Sequence, residues 1–229
     1  NDNKILGVIT AQDLVEAVDE EMGDDYAKLA GLTAEEDLNE PFKDSVKKRL
    51  PWLLLLLVLG LVVSSVVSIF EGVVQQITLV VAFQSLILDM AGNVGTQSLA
   101  VTIRVIMDEA LSKKDEHKLI FKEMRVGFTN GMILGMLAFV AIGVYILVFK
   151  GKSVPFSFSV SGCIGISLLF AMVVSSLVGT VVPLFFKKIN IDPAVASGPL
   201  ITTVNDLVAV VAYYGLCGIL LIGVLHLAG

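Results

Sequence analysis

The sequence predicts an all-α membrane protein with five transmembrane helices per subunit, preceded by a cytoplasmic connecting helix. Of its 229 residues 55% are hydrophobic and 17% charged, whereas soluble domains average roughly 45–50% apolar and about 25% charged residues. Residues 1–50 hold 13 acidic and 6 basic residues, and residues 51–229 hold 9 and 10. Four stretches of the second region have at least 20 residues without any charge. This composition excludes an ordinary soluble domain.

The acidic N-terminal region opens with the end of a soluble domain, which we assign to residues 1–24. Residues 5–10 are β-prone, and the apolar residues within 13–18 then follow helical spacing. The chain starts with Asn1 and not with Met, so we interpret it as part of a longer protein.

Residues 25–50 are predicted to form a connecting helix that leads into the first span. The segment stays polar, with Pro41 as a break before the basic cluster Lys47, Lys48 and Arg49. A solvated acidic linker remains the alternative, because charged runs are often solvated.

Residues 51–229 are predicted to form the five-helix transmembrane domain, since a helix needs about 20 apolar residues to cross the bilayer. The expected spans are 51–71, 73–106, 121–149, 157–186 and 193–228. The second is too long for a straight crossing, so we expect it to tilt, break or protrude. Trp52 suits an aromatic anchor at the membrane edge.

Basic residues set the expected orientation. With the N-terminus inside, twelve Lys and Arg residues lie near the inner membrane face and two, Lys150 and Lys152, near the outer face. The positive-inside rule therefore predicts a multi-pass protein of the cell membrane with a cytoplasmic N-terminus and an extracellular C-terminus.

Two carboxylates lie deep in the predicted spans. Asp89 and Asp206 each cost at least about 2.5 kcal/mol at membrane depth, so such residues face a cavity, a partner or an ion. No Lys or Arg lies within the core of any span. An external cation is therefore the natural partner of both aspartates.

Polar neighbours accompany each aspartate. In the second span Asp89, Asn93 and Gln97 recur every fourth residue, next to Gly92 and Gly95. In the fifth span we expect a helix from Pro193, with Pro199 inside it freeing the carbonyl of Val195. The pore-lining face there is expected to comprise Thr202, Thr203, Asp206, Ala209, Val210 and Tyr213. The alternative is that the amides and hydroxyls only pack helices together.

The candidate ligands are all oxygens, which favours Mg²⁺, Ca²⁺ or Mn²⁺ over Zn²⁺ or Cu²⁺. Mg²⁺ retains its waters and needs few carboxylates, so a sparse site suits it best, although a monovalent ion could use the same path. Cys163 and Cys217 lie in apolar runs without metal-ligand spacing, and we interpret them as packing residues.

Three segments resemble the MgtE family of magnesium channels and transporters. They are AGNVGTQS at Ala91–Ser98, KEMRVG at Lys122–Gly127 and DPAVASGPLITTVND at Asp192–Asp206. In addition, GVITAQDLVEAV at Gly7–Val18 is similar to the closing strand and helix of a CBS domain.

This resemblance implies a homodimer that transports Mg²⁺ through a pore on the two-fold axis, lined by the second and fifth helices of both subunits. Asp206 would be the central carboxylate, holding hydrated Mg²⁺ through its waters. Further metal-site residues would be Asp89, Ala91, Gly92, Asn93, Thr202 and Thr203. Gly198 stands where some relatives carry Asn, which leaves only backbone oxygen at that position. In the intact protein, cytoplasmic Mg²⁺ sensing would close the pore through the plug-like connecting helix.

The expected partners are a second copy, Mg²⁺ as transported ion and ligand, and membrane lipid, with no nucleic acid. A proton- or Na⁺-coupled divalent cation carrier remains the alternative. We do not expect the chain to be an enzyme, because Asp89 and Asp206 lack the Tyr-Asp and Gly-x-Gly-Asp contexts of intramembrane aspartyl proteases.

Overall fold

The computed structural model describes residues 7–32, 38–76, 78–108, 111–195 and 198–224, and within these ranges it contains helices and short connections but no strand. The α-helices are α1 (Ala11–Leu29), α2 (Phe42–Ile69), α3 (Glu71–Gln76), α4 (Gln84–Asp108), α5 (Lys113–Phe149), α6 (Val154–Lys188) and α7 (Gly198–Cys217). Two 3₁₀ segments, Thr78–Phe83 and Pro193–Val195, precede α4 and α7, and a π-helical segment, Gly218–Val224, follows α7.

Five helical segments are long and apolar enough to cross a membrane, which confirms the predicted fold class. They are Phe42–Ile69, Thr78–Met107, Lys113–Phe149, Val154–Lys188 and Gly198–Gly223. The N-terminal helix α1 precedes them.

Helix α1 begins with a reciprocal cap. The Thr10 hydroxyl accepts from the Asp13 amide at 3.2 Å, and the Thr10 amide donates to the Asp13 carboxylate at 2.7 Å. The helix continues to Leu29 and so passes the boundary that we placed after residue 24. The strand expected over residues 5–10 is absent at 7–10, and residues 5 and 6 lie outside the described ranges.

Helix α2 joins the basic cluster to the first span. Pro41 occupies the position before its first turn without a side-chain cap, and the helix runs without interruption through Pro51. Residues 42–50 are therefore the first turns of the membrane helix itself, while residues 33–37 lie outside the described ranges.

The second and fifth spans both depart from a straight helix. Of the three alternatives expected for the second, a tilt, a break or a protrusion, the structure shows a break, because a 3₁₀ segment lies between α3 and α4. The prediction that the fifth helix starts at Pro193 is wrong. Asp192 instead accepts from the Ala194 amide at 2.9 Å and caps a short turn, and α7 starts at Gly198. Pro199 is the second residue of α7, in its first described turn, and residues 196 and 197 before it lie outside the described ranges.

Helix α6 is the centre of the packed domain. It contacts α4, α5 and α7, and small residues permit close approach of the backbones. A Cβ on Gly179 would overlap the backbone oxygen of Gly95, and one on Gly135 would lie 2.7 Å from the backbone oxygen of Gly165. Cys163 and Cys217 are both buried in this core as free thiols, with their Sγ atoms 3.4 Å apart.

The end of α1 docks against the start of α7. Lys28 Nζ donates to Asp192 Oδ2 at 2.8 Å. Gly31 has φ +82°, and a Cβ there would overlap the Trp52 ring and approach Pro199 to 3.3 Å. Trp52, expected as an interfacial anchor, therefore packs under this turn, and its buried indole nitrogen has no hydrogen-bond partner.

Disrupting the Lys28–Asp192 pair should loosen this docking. Trp52 is the single tryptophan and reports on the contact. We expect Asp192→Asn to shift its fluorescence to longer wavelength, whereas Asp44→Asn, which breaks the exposed pair with Lys47, should not. The pair is partly exposed, so its contribution is at most about 1 kcal/mol. Identical emission from Asp192→Asn and the unaltered chain would contradict the docking role.

The same contact should depend on pH. Burial acts to raise the pKa of Asp192, but hydrogen bonds from Lys28 and the Ala194 amide outweigh it and hold that pKa below 3.8. The hydrogen bond to Asp192 raises the pKa of Lys28 above 10.5. The stabilisation is therefore complete above the ordinary aspartate pKa and is lost as pH falls through the lowered one. It is lost at the alkaline end as pH rises through the raised pKa of Lys28. A Trp52 emission shift centred near neutral pH would contradict this.

Close helix packing should make Gly179 sensitive to enlargement. We expect Gly179→Ala to lower the free energy of unfolding by about 1–3 kcal/mol, because the α4 backbone must move. Gly162→Ala is the matched control, since its Cβ would lie 3.6 Å from the Phe139 ring, an ordinary contact. Thermal unfolding in detergent measures both, and equal midpoints would refute the close α4–α6 approach.

Candidate cation-binding groove

A polar groove of about 400 Å³ lies between α4 and α7. It is lined by Ser85, Leu88, Asp89, Gly92, Asn93, Thr96, Thr202 and Asp206. Two helices thus contribute one carboxylate each, and none of the described lining residues is Lys or Arg. The groove therefore carries negative charge and presents oxygen atoms.

Helix α4 supplies one wall because its lining residues recur at intervals of three and four, which places them on one face. Asp89 is exposed in the single chain. Asn93 Nδ2 donates to the Asp89 backbone oxygen at 2.9 Å and to Asp89 Oδ1 at 3.1 Å. The amide nitrogen of Asn93 is thereby held, and its amide oxygen is left for a cation.

Helix α7 supplies the other wall through Asp206, which is half-buried, and Thr202 one turn earlier. The Thr202 hydroxyl donates to the Gly198 backbone oxygen at 2.9 Å, so its lone pairs can still accept from a water. A Cβ on Gly92 would lie 3.0 Å from Thr202 Cγ2. The glycine therefore lets the two walls meet closely.

Asn205 joins the two helices beneath the groove. It is fully buried, and its Nδ2 donates to the Ala91 backbone oxygen at 3.5 Å. A Cβ on Gly95 would overlap this amide, so only glycine fits there. The Asn205 Oδ1 atom has no protein partner. Sequence analysis did not single out Asn205, although an amide beside Asp206 in an apolar helix was a usable signal.

The structure brings most of the expected metal-site residues together. Asp89, Gly92, Asn93, Thr202 and Asp206 line the same groove. Sequence analysis missed Ser85 and Thr96, which the spacing of three and four residues from Asp89 and Asn93 would have revealed.

Two further expected residues lie beside the groove. Ala91 is buried, with its backbone oxygen directed to Asn205. The Thr203 hydroxyl donates to the Pro199 backbone oxygen at 2.9 Å, and Thr203 does not line the groove.

Other residues that the sequence analysis placed beside Asp89 and Asp206 lie outside the groove. Gln97 is exposed but lies outside the groove lining. Ala209, Val210 and Tyr213 are buried in the core, and the Tyr213 hydroxyl donates to the Val80 backbone oxygen at 2.7 Å. The expected pore-lining face of α7 therefore ends at Asp206, because the following turns pack against the other helices.

A buried carboxylate near the membrane edge was also missed. Glu123, near the start of α5, is only 5% exposed, and it accepts from the Ser98 hydroxyl at 3.0 Å. This hydrogen bond links α4 to α5 away from the groove, so Glu123 connects two packed helices.

The donor set of one chain is sparse. Among the described residues no group of three or more His, Cys, Asp or Glu side chains is placed to hold a metal ion. A dehydrated cation would need more direct ligands, whereas two carboxylates with neutral oxygens suit a cation that keeps its waters.

Comparisons with known proteins agree on one family. A family model named MgtE and described as a divalent cation transporter matches residues 84–216. The chain is 38% identical over 220 residues to the magnesium transporter MgtE of Enterococcus faecalis, covering 94% of this chain and 45% of that protein. For the Bacillus subtilis protein of the same name the identity is 34%, covering 93% and 46%. For that of Thermus thermophilus it is 29%, covering 96% and 47%. The chain spans about half the length of these curated relatives.

Thiol labelling should distinguish the groove face of α4 from its core face. We expect Asn93→Cys to react with a water-soluble thiol reagent roughly tenfold faster than Val94→Cys, since exposure controls cysteine reactivity. Val94 is 7% exposed, and the unaltered chain serves as the blank because both native cysteines are buried. Equal rates at positions 93 and 94 would contradict the assigned groove face.

Proposed function

This chain belongs to the MgtE family of divalent cation transporters, and we propose that it carries Mg²⁺ across the cell membrane through a pore that two copies form along the groove. The family is one of transporters, so the expectation that the chain is not an enzyme is confirmed. The five apolar helices likewise make it a multi-pass membrane protein.

One observation carries the proposal, namely that Asp89 and Asp206 line the same groove from two helices, with no Lys or Arg among its described lining residues. Each carboxylate lies in the interior of a membrane-spanning segment, where uncompensated charge is costly. A passing cation compensates both charges at once. The neutral oxygens of Asn93 and Thr202 then serve its hydration shell.

The choice of Mg²⁺ follows from the number of ligands. Mg²⁺ releases water reluctantly and is held through one or two carboxylates, whereas Ca²⁺ takes six to eight direct oxygen ligands. The sparse groove fits the first pattern. The relatives named magnesium transporters support the same ion.

A second copy completes the pore in this proposal. Asp89 is exposed on the single chain even though α4 lies within a membrane-spanning segment. Facing hydrocarbon would be costly, so the groove should face its equivalent on a second subunit across a two-fold axis. Four carboxylates would then surround the ion path.

Regulation from the N-terminal side fits the docking of α1. The Lys28–Asp192 bond and the packing of Gly31 beside Pro199 connect α1 to the start of α7, the helix that carries Asp206. With a cytoplasmic N-terminus, Mg²⁺ sensing by soluble domains of the intact protein would reach the pore through this contact.

Flux into proteoliposomes tests the proposal. We expect the chain to admit Mg²⁺ in preference to Ca²⁺, and Asp206→Ala to reduce Mg²⁺ influx about tenfold or more, because charge-assisted hydrogen bonds contribute about 1.5–3 kcal/mol each. Asp115→Ala is the control, since it removes an exposed carboxylate at the start of α5.

Unchanged flux in Asp206→Ala would refute the role of the groove. Mg²⁺ uptake measured with and without a protonophore at clamped voltage distinguishes a channel from a proton-coupled carrier. Loss of Mg²⁺ uptake there would favour a proton-coupled carrier over a channel, and a requirement for a Na⁺ gradient would favour Na⁺ coupling.

A further inference from the structure

A second groove, which we call the basic groove, lies on the exposed side of α5 near its start. Its volume is about 530 Å³. Its charged lining consists of Lys118, Lys122 and Arg125, and its apolar lining includes Phe121 and Val126. The polar groove between α4 and α7 shares none of these residues.

The three cations form a single face. They are spaced by four and three residues, so they lie on one side of α5, and all three are exposed. None of them has a salt bridge within 4 Å in the described part of the chain. Of the acids beside them, Asp115 is hydrogen-bonded to Ser112 and interacts with Lys118 only through longer-range electrostatics, and Glu123 is buried against Ser98.

The basic groove sits where α5 passes from polar to apolar sequence. Arg125 is the last charged residue before Val126–Phe149, 24 residues without a charge. Phe121 is 63% exposed and Val126 43% exposed. The Arg125 guanidinium lies 5.9 Å from the centre of the Phe121 ring. Cationic and apolar side chains thus meet at the depth where lipid headgroups meet acyl chains.

We propose that the basic groove binds the phosphate of an anionic phospholipid of the phosphatidylglycerol type. The planar Arg125 guanidinium suits two phosphate oxygens, and the two lysines add point charges. Val126 contacts the adjoining acyl chain, and Phe121, one turn towards the water, packs beside the Arg125 guanidinium.

Charge complementarity and depth together favour a lipid over a soluble anion. Basic pockets beside transmembrane helices recognise anionic headgroups, and each Lys or Arg near an anionic surface contributes about 1 kcal/mol. A free phosphate would use the cations but leave the apolar residues exposed. The phosphate of the lipid contacts the cationic residues of the basic groove, and its acyl chain covers Val126 in the apolar lining.

Native mass spectrometry of the detergent-solubilised chain tests this. The chain is titrated with phosphatidylglycerol, with phosphatidylcholine of the same acyl chains, or with inorganic phosphate. We expect one retained phosphatidylglycerol whose apparent Kd weakens roughly tenfold to a hundredfold in the triple variant Lys118→Gln, Lys122→Gln, Arg125→Gln. The matched control, Lys113→Gln, Lys114→Gln, Lys188→Gln, removes the same charge outside the basic groove and should bind as the unaltered chain does.

Val126→Ser supplies an independent arm, because removing the apolar contact should weaken the binding of phosphatidylglycerol but not that of inorganic phosphate. Elution of every variant at the position of the unaltered chain in size-exclusion chromatography establishes that it is folded. Equal retention of phosphatidylcholine, equal loss in the control triple variant, or displacement of the lipid by millimolar phosphate would each overturn the proposal. So would a dimer that dissociates in the basic-groove variant, which would assign this face to a second copy.

Discussion

A charge inside a membrane must be compensated, and the arrangement of the helices around the groove follows from that constraint. Asp89 and Asp206 lie on separate helices, α4 and α7, which approach each other closely at Gly92 and Thr202. Beneath them the buried Asn205 amide reaches the α4 backbone, which is possible only because Gly95 has no side chain. The glycines thus place the two carboxylates on either side of one groove, without a Lys or Arg among its described lining residues.

The carboxylates Glu123, Asp89 and Asp206 lie in different surroundings. Glu123 is buried against the Ser98 hydroxyl and links two helices, whereas Asp89 is exposed and Asp206 half-buried beside open space. A carboxylate used for packing finds a donor within the chain. In the proposed function the other two remain available to a passing ion, and the contact between α1 and the start of α7 connects that ion path to the N-terminal side.

Much of this was accessible from the sequence because membrane helices have a strong signal. Uncharged runs of at least 20 residues indicated four of the five spans, and isolated aspartates in the second and fifth spans indicated the core of the groove. Helix ends and rotations were less accessible. Pro193 was taken for the first residue of the fifth helix, whereas residues 193–195 form a 3₁₀ turn. Tyr213 was placed on the groove face because helical spacing does not show where tertiary packing begins. Glu123 was missed since burial depends on the neighbouring helix.

The most direct test of the central claim is the location of a cation. Crystals of the chain in Mn²⁺, which shares the preference of Mg²⁺ for oxygen ligands, would reveal the ion by anomalous scattering. The account predicts a peak between two copies, roughly 4–5 Å from the Asp206 carboxylate oxygens, the separation expected when a water lies between metal and carboxylate. A peak bonded directly to protein ligands elsewhere, or none along the groove, would contradict it.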